Sequence, residues 1–373
     1  MTVPRRPSRS KGTDAYKIRE KKLLQPSKAE HGSEPLTAVT DFCDFNHSAR
    51  ADWAAIMLRE TMPKQEALCM RIVIPVEMTS GESAAVNAAV ARPWPPGTMF
   101  CLLHVVAPIY LPLLVPRLFE NAKITILQRL DRAAEPLKKA GWNVRTEVLE
   151  GSSGRTINAF AKEWRADLVM VGSHDRGPLA RLCLGGTGQS VMRHALCSVE
   201  IVRPRGYGPE GHDGLKILAT TDGSEFSVAA LRSVAARPWP ERSKLKVISV
   251  PEFILTKGES YLETHSLKEF EDLGAASLED AKRCIANAQE ILAGSPLAVS
   301  AELPKYEDRP YQVILHEAEE WQADLIVVGS HGRSGFDRVV MGSVSEAVAL
   351  HAKCSVEIIR DARLTLDERR RAA

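Results

Sequence analysis

The 373-residue sequence has no paired cysteine motif: its seven cysteines, at positions 43, 69, 101, 183, 197, 284 and 354, are scattered and odd in number. Without a C-x-x-C pair or metal-ligand spacing, neither a zinc site nor a disulfide framework is expected, and a reducing, cytoplasmic compartment is the natural setting. A membrane-length apolar run is missing as well. The most apolar stretch, Met99 to Val115, falls short of the roughly 20 residues a spanning helix needs, and Pro108 and Pro112 interrupt it. No apolar segment follows the start, so a secretory signal is not expected. Strong net charge is also lacking. The chain carries +2, and because residues 1–30 hold nine Lys/Arg against three Asp/Glu, the remainder carries −4. Nucleic-acid binding by the folded part is therefore not expected. Finally, the Walker pattern G-x4-G-K-[ST] is absent, and no nucleophile–base pair stands out, so no catalytic residue is named.

What the chain does have is a duplication. Arg92-Pro93-Trp94-Pro95 recurs as Arg237-Pro238-Trp239-Pro240, and Glu163-Trp164-Arg165-Ala166-Asp167-Leu168 as Glu320-Trp321-Gln322-Ala323-Asp324-Leu325. Val171-Gly172-Ser173-His174 recurs as Val328-Gly329-Ser330-His331, and Cys197-Ser198-Val199-Glu200-Ile201 as Cys354-Ser355-Val356-Glu357-Ile358. The offset is 145 early and 157 late, so the second copy holds twelve extra residues between Pro240 and Glu320. The matches keep their order, which makes this duplication of a whole domain. The sequence divides into an N-terminal extension (1–66), a first domain (67–205), a Gly/Pro-rich linker (206–213), a second domain (214–362) and a charged tail (363–373). The extension reads as a basic arm for a nucleic acid or an acidic partner, as a solvated tail, or as sequence upstream of a later start at Met57, Met62 or Met70, with a helix predicted over 48–62.

Each copy alternates strand and helix patterns. In the second, strands are predicted at 216–221, 245–250, 298–303, 324–328 and 355–360, and helices at 224–236, 267–293, 311–321 and 342–351. Alternation with apolar strands implies an α/β fold: a parallel sheet with helices on both faces.

The stretch Val328 to Ser345, VGSHGRSGFDRVVMGSVS, follows the fourth strand and leads into a helix. Two residues separate Gly329 from Gly332, nine separate Gly332 from Gly342, and Ser343 follows. Glycines let a ligand approach the backbone, and a helix opening at Gly342 presents unpaired N–H groups to an anion. Arg333 and Arg338 add positive charge. This spacing resembles the G-x2-G-x9-G-[ST] signature of the ATP-binding universal stress proteins, and the likeness extends over about residues 70–205 and 214–361. The resemblance implies two Rossmann-like doubly wound domains, each a five-stranded parallel sheet of order 3-2-1-4-5. It further implies pairing of the two copies through their last strands as a pseudo-dimer, with homodimers above that.

In such sheets ligands lie beyond the carboxyl ends of strands where the order reverses, here between the first and fourth strands. Asp222, at the end of the first strand, should face the glycine loop. Its carboxylate can accept from ribose hydroxyls or hold a phosphate-bound Mg²⁺ or Mn²⁺; it can equally cap the helix beginning at Ser224-Glu225. The resemblance implies an ATP site built from Thr220, Thr221, Asp222, Val250, Val328, Gly329, His331, Gly332, Gly342, Ser343, Val344 and Ser345, with the backbone of Val250 at the adenine edge. His331 either touches phosphate or ribose or fixes the loop. Cys197 and Cys354 read as small core residues.

The first copy departs from the signature. Asp175 stands where Gly332 does, Gly186 where Ser343 does, and Glu77 where Asp222 does. A carboxylate about 4 Å from a phosphate charge repels it by about 4 kcal/mol at an effective dielectric near 20, more than a helix terminus returns. Weak or no ATP binding is expected there unless Arg176 or a metal neutralises Asp175. The implied function is a nucleotide-binding regulatory protein of the stress response with an unidentified protein partner. A slow ATPase or ATP-using transferase, and an interaction module that needs no ligand, stand as alternatives.

Overall fold

The computed structural model describes residues 69–77, 83–107, 115–173, 184–203, 214–251, 267–305, 308–332 and 341–361. The chain divides into two compact units at Lys64/Gln65, and all described residues belong to the second. The extension, the linker, the tail, Asp175, Arg176, Arg333, Arg338 and residues 108–114 of the apolar stretch Met99 to Val115 lie outside the described residues.

The strands are β1 (Arg71–Pro75), β2 (Met99–Val106), β3 (Asn143–Glu150), β4 (Leu168–Gly172) and β5 (Ser198–Val202), then β6 (Lys216–Thr220), β7 (Lys244–Ile248), β8 (Ala298–Glu302), β9 (Leu325–Gly329) and β10 (Ser355–Ile359). The helices are α1 (Ala84–Val90), α2 (Val115–Lys139), α3 (Ser153–Glu163) and α4 (Gly186–His194), then α5 (Glu225–Ala236), α6 (Leu267–Leu292), α7 (Pro310–Glu320) and α8 (Ser343–His351). Boundaries expected for the second copy hold to within two residues. The central strands are continuous apolar runs, such as LIVVG in β9, because both faces are covered.

Each half has the expected strand order 3-2-1-4-5, and the two copies pair through their last strands, β5 and β10. The strands form one ten-stranded sheet, β3-β2-β1-β4-β5-β10-β9-β6-β7-β8. All pairs are parallel except β5 with β10, which is antiparallel. As edges, these last strands, SVEIV and SVEII, would each leave a row of N–H and C=O groups unpaired, which their pairing satisfies. The register sets Glu200 opposite Glu357, with Val199 opposite Ile358 and Ile201 opposite Val356. These are equivalent positions in the duplication, so the pairing is symmetric about the two glutamates.

The two faces of this sheet differ. On one, Val199, Ile201, Val356 and Ile358 join α3, α4, α7 and α8 in a single apolar core spanning both halves. On the other there are two cores, one under α1 and α2 and one under α5 and α6. Between them lie Glu200 and Glu357, at 0% and 1% exposure. Arg237 grips both oxygens of Glu357 at 2.9 Å, and Arg92 Nη2 meets Glu200 Oε2 at 2.5 Å. Each guanidinium also lies over its neighbouring tryptophan, Arg92 over Trp94 at 4.7 Å and Arg237 over Trp239 at 5.0 Å. Those indoles donate to the helix carbonyls of Ala89 and Val234. The repeated R-P-W-P motif thus anchors the buried glutamate of the repeated C-S-V-E motif.

A third repeated motif is equally structural. Asp167 and Asp324 accept from the first backbone N–H of β1 and β6, at Arg71 and Lys216. Arg203 and Arg360, also equivalent positions, reach across the boundary to backbone carbonyls of the opposite half: Arg203 to Ala349 in the last turn of α8 and to Cys354 just before β10, Arg360 to Met192 in the last turn of α4. Cys197 and Cys354 are buried, and burial pushes their thiols up to about 12, as suits small core residues rather than nucleophiles. No helix among the described residues is long and apolar enough to cross a membrane.

Candidate functional site

The order reversal of the second half falls between β6 and β9, which pair in parallel. Beyond their carboxyl ends two helices begin: α5, capped by Ser224, and α8, whose N-cap is Gly342. Ser224 Oγ accepts from Ser227 N, whereas no side chain caps Gly342. The opening turn of α8 therefore keeps backbone donors that no described side chain caps. The carboxyl end of the crevice is polar and tightly hydrogen-bonded on the α5 side.

Asp222 sits at the centre of that network. Its Oδ1 accepts from Ser224 Oγ at 2.6 Å and from Ser224 N at 3.0 Å. The helix cap is thus Ser224, and Asp222 is held by it rather than serving as the cap itself. Ser224 Oγ also approaches the carbonyl of His331 at 3.4 Å, tying the first-strand loop to the glycine loop. Thr221 Oγ1 lies 3.2 Å from Ser227 Oγ and accepts from Gly223 N. These serine contacts were not read from the sequence. The signal available was Ser224-Glu225-Phe226-Ser227 at the helix start, a hydroxyl at the cap and another three residues on.

The glycines have specific neighbours. A Cβ at Gly332 would lie 2.8 Å from Asp222 Oδ2, so the carboxylate stands directly against the glycine loop. A Cβ at Gly329 would lie 2.7 Å from the carbonyl carbon of Phe226 and 2.8 Å from Ser227 N. Gly329 is thus what lets α5 lie close against β9. A Cβ at Gly342 would meet the carbonyl of Ser330 at 3.1 Å, which already accepts from Gly342 N at 2.9 Å.

The other expected residues distribute as follows. Thr220 ends β6, and Val250 lies two residues past the end of β7, half-buried against the shared core. Val328 is 2% exposed with its side chain in that core, so only its backbone faces the strand end. Ser343 and Val344 open α8, Ser343 exposed and Val344 packed on the core. Ser345 Oγ donates to Gly329 O at 2.6 Å, which fixes the loop and commits that hydroxyl. His331 Nδ1 lies 3.1 Å from Ser330 Oγ, and its ring sits 5.0 Å from that of Phe226. Its described contacts fix the loop. Among the described residues no group of three or more His, Cys, Asp or Glu is arranged to hold a metal.

The first half is built differently at the same end. Helix α1 begins at Ala84, equivalent to Ala229, four residues later than α5. Among the described residues, a Cβ at Gly172, the counterpart of Gly329, would meet nothing within 4 Å; the counterparts of Phe226 and Ser227, at positions 81 and 82, lie outside the described residues.

A cavity of about 700 Å³ lies at the opposite end of the second half, lined by Lys216, Arg242, Lys244, Lys353, Asp324 and Cys354 among others. The carboxyl ends of α7 and α8 point there, and Lys216 Nζ donates to Trp321 O at 3.3 Å. Its cations complement helix C-termini, and the cavity is not part of the crevice.

Comparison with known proteins agrees with this organisation. The universal stress protein family profile matches twice, over residues 69–203 and 215–360. A universal stress protein of Mycolicibacterium smegmatis is 30% identical over 307 residues, covering 79% of this chain and 99% of its own. One from Mycobacterium tuberculosis H37Rv is 28% identical over 221 residues, 58% of this chain and 69% of its own. Among solved structures, a universal stress protein of Archaeoglobus fulgidus aligns with a TM-score of 0.51 at 15% identity, covering 78% of this chain and 96% of that one. A functionally unknown protein of Pseudomonas aeruginosa PAO1 aligns at 0.53 and 17%, covering 82% and 98%. These two likenesses speak for the fold alone. Two family matches at the positions of the two copies carry the conclusion: this chain belongs to the universal stress protein family and holds two of its domains in tandem.

Proposed function

We propose that the chain is an ATP-binding regulatory protein of the stress response, acting in the cytoplasm, with its nucleotide in the second domain. One observation carries this reading: the Asp222 carboxylate stands against Gly332, beside a helix start that no described side chain caps. On it, the phosphates lie along the backbone of Gly329, Gly332, Gly342, Ser343 and Val344. Asp222 accepts from ribose or holds Mg²⁺ or Mn²⁺ on the phosphates. Val250 offers its backbone to the adenine edge. Thr220 and Thr221 end the strand that positions Asp222, and His331 and Ser345 shape the loop. Occupancy then alters shape or association with a protein partner, or with a second copy of the chain.

Two tests follow. Mass spectrometry of the denatured protein should detect released adenine nucleotide. Titration calorimetry with Mg-ATP should give one site per chain, because the first half departs from the glycine signature at Asp175 and Gly186 and carries Glu77 where Asp222 stands. Gly332→Asp places a carboxylate against Asp222 and should weaken binding at least about a hundredfold. Two tight sites per chain, or full affinity in that variant, would overturn the placement.

A further inference from the structure

The second domain's crevice is not built by the second domain alone. Helix α8, whose amino end forms one wall, is held from across the β5–β10 boundary at both ends. Arg193, in the last turn of α4, reaches Glu346 Oε1 with Nε at 2.8 Å and Nη2 at 2.6 Å. Glu346 lies in the opening turn of α8, and its N–H bonds to the carbonyl of Gly342. At the other end Arg203 donates to the carbonyls of Ala349 and Cys354, at 2.7 and 3.1 Å.

The duplication would place a mirror image of the Arg193–Glu346 bridge at Gln189 and Leu350, neither of which carries a charge. The bridge therefore runs one way, from the first copy to the second. Its direction matches the other asymmetry of the chain, since the second copy alone keeps the full glycine signature. A carboxylate in the opening turn suits an empty helix dipole but opposes an incoming phosphate. Glu346 is only 23% exposed on its side chain, so solvent screens it incompletely.

We infer that Arg193 of the first domain is a positioning residue of the second domain's nucleotide site. It neutralises Glu346 and fixes α8, so that the amino end of that helix can accept phosphate. The inference rests on the ATP reading above. It also assigns the first domain a task that needs no nucleotide of its own.

The test is a double-mutant cycle on the full chain, read by Mg-ATP calorimetry and by melting temperature. Arg193→Leu should weaken ATP about two- to fivefold, the scale of a helix-terminus charge. Glu346→Gln alone should hold or tighten affinity, because the opposing charge is gone while Arg193 stays. The double variant should bind at least as well as wild type. A purely structural clamp predicts otherwise: both single variants and the double lose affinity together with melting temperature, and that pattern overturns the inference. Unchanged affinity in Arg193→Leu overturns it too. Should Arg193→Leu not fold, Arg193→Gln takes its place in the cycle. A wild-type chain that takes up no ATP overturns the nucleotide reading itself, and the inference with it.

Discussion

Glu357→Gln should cost about 3–5 kcal/mol of unfolding free energy, the usual cost of leaving a buried charge without its partner. Arg237 would be that charge: its side chain is 3% exposed, and both of its bonds to Glu357 would be weakened at once. Replacing both partners, as Arg237→Met with Glu357→Met, should come closer to wild type than either single change, because no buried charge is stranded. Urea unfolding at neutral pH measures all three. A Glu357→Gln cost below about 0.5 kcal/mol, the level of an ordinary surface change, would mean that the pair does not hold the joint between the halves. The opposing glutamate behaves differently. Burial pushes the Glu200 carboxyl above its ordinary 4.5, Arg92 pulls it back, and Glu357 adds to the push. The carboxylate placed opposite it, on Glu357, disfavours the charged form of Glu200. A raised value means the folded chain keeps this proton to higher pH than the unfolded chain. The stability so contributed is complete below about pH 4.5 and is lost as pH rises through the folded-state value. The stability of wild type relative to Glu200→Gln should therefore fall as pH rises above about 4.5. A difference that stays flat or rises with pH contradicts the assignment.

Gly329→Ala should destabilise the protein by about 3 kcal/mol, the overpacking cost at a site that cannot give way. The atoms a new methyl would strike, at 2.7–2.9 Å, are the backbone of Phe226 and Ser227, not the tip of a flexible side chain. Either α5 moves away from β9 or the strand distorts, and both changes pull Asp222 out of line with the glycine loop. ATP affinity should fall with stability. The control is internal. Gly172→Ala, at the equivalent position in the first half, meets no atom of the described residues within 4 Å. Its backbone is not left-handed, so it should stay within about 0.5 kcal/mol of wild type or gain slightly from a stiffer unfolded chain. Thermal unfolding of the two variants side by side decides the matter. Equal effects would remove the argument that the two halves are built differently at the strand ends.

The glycine signature shows how a motif can be legible while its physical reason is not. From sequence, Gly329, Gly332 and Gly342 read as room for phosphate. In the fold each also makes room for the protein itself: for α5, for the Asp222 carboxylate and for the Ser330 carbonyl. Their spacing was visible because they lie within fourteen residues of one another. Their neighbours at Asp222 to Ser227 lie about a hundred residues away, and periodicity carries no information about such contacts. The repeated motifs teach the same lesson. R-P-W-P, E-W-x-A-D-L and C-S-V-E announced a duplication, but nothing in them said that arginine, tryptophan and glutamate would meet at the centre of a sheet.

By itself the sequence determined that the chain holds two copies of one α/β domain, where their strands and helices fall, and that one copy keeps a glycine pattern the other has lost. These follow from local burial and turn chemistry, which each segment writes into its own residues. Pairing through the last strands was already implied by the family resemblance; only the tertiary structure decided that Glu200 and Glu357 oppose each other in that seam and that Arg193 reaches Glu346. Those pairings join residues more than 150 positions apart, and they are selected by complementary edges and charges that come into range only when both halves have formed.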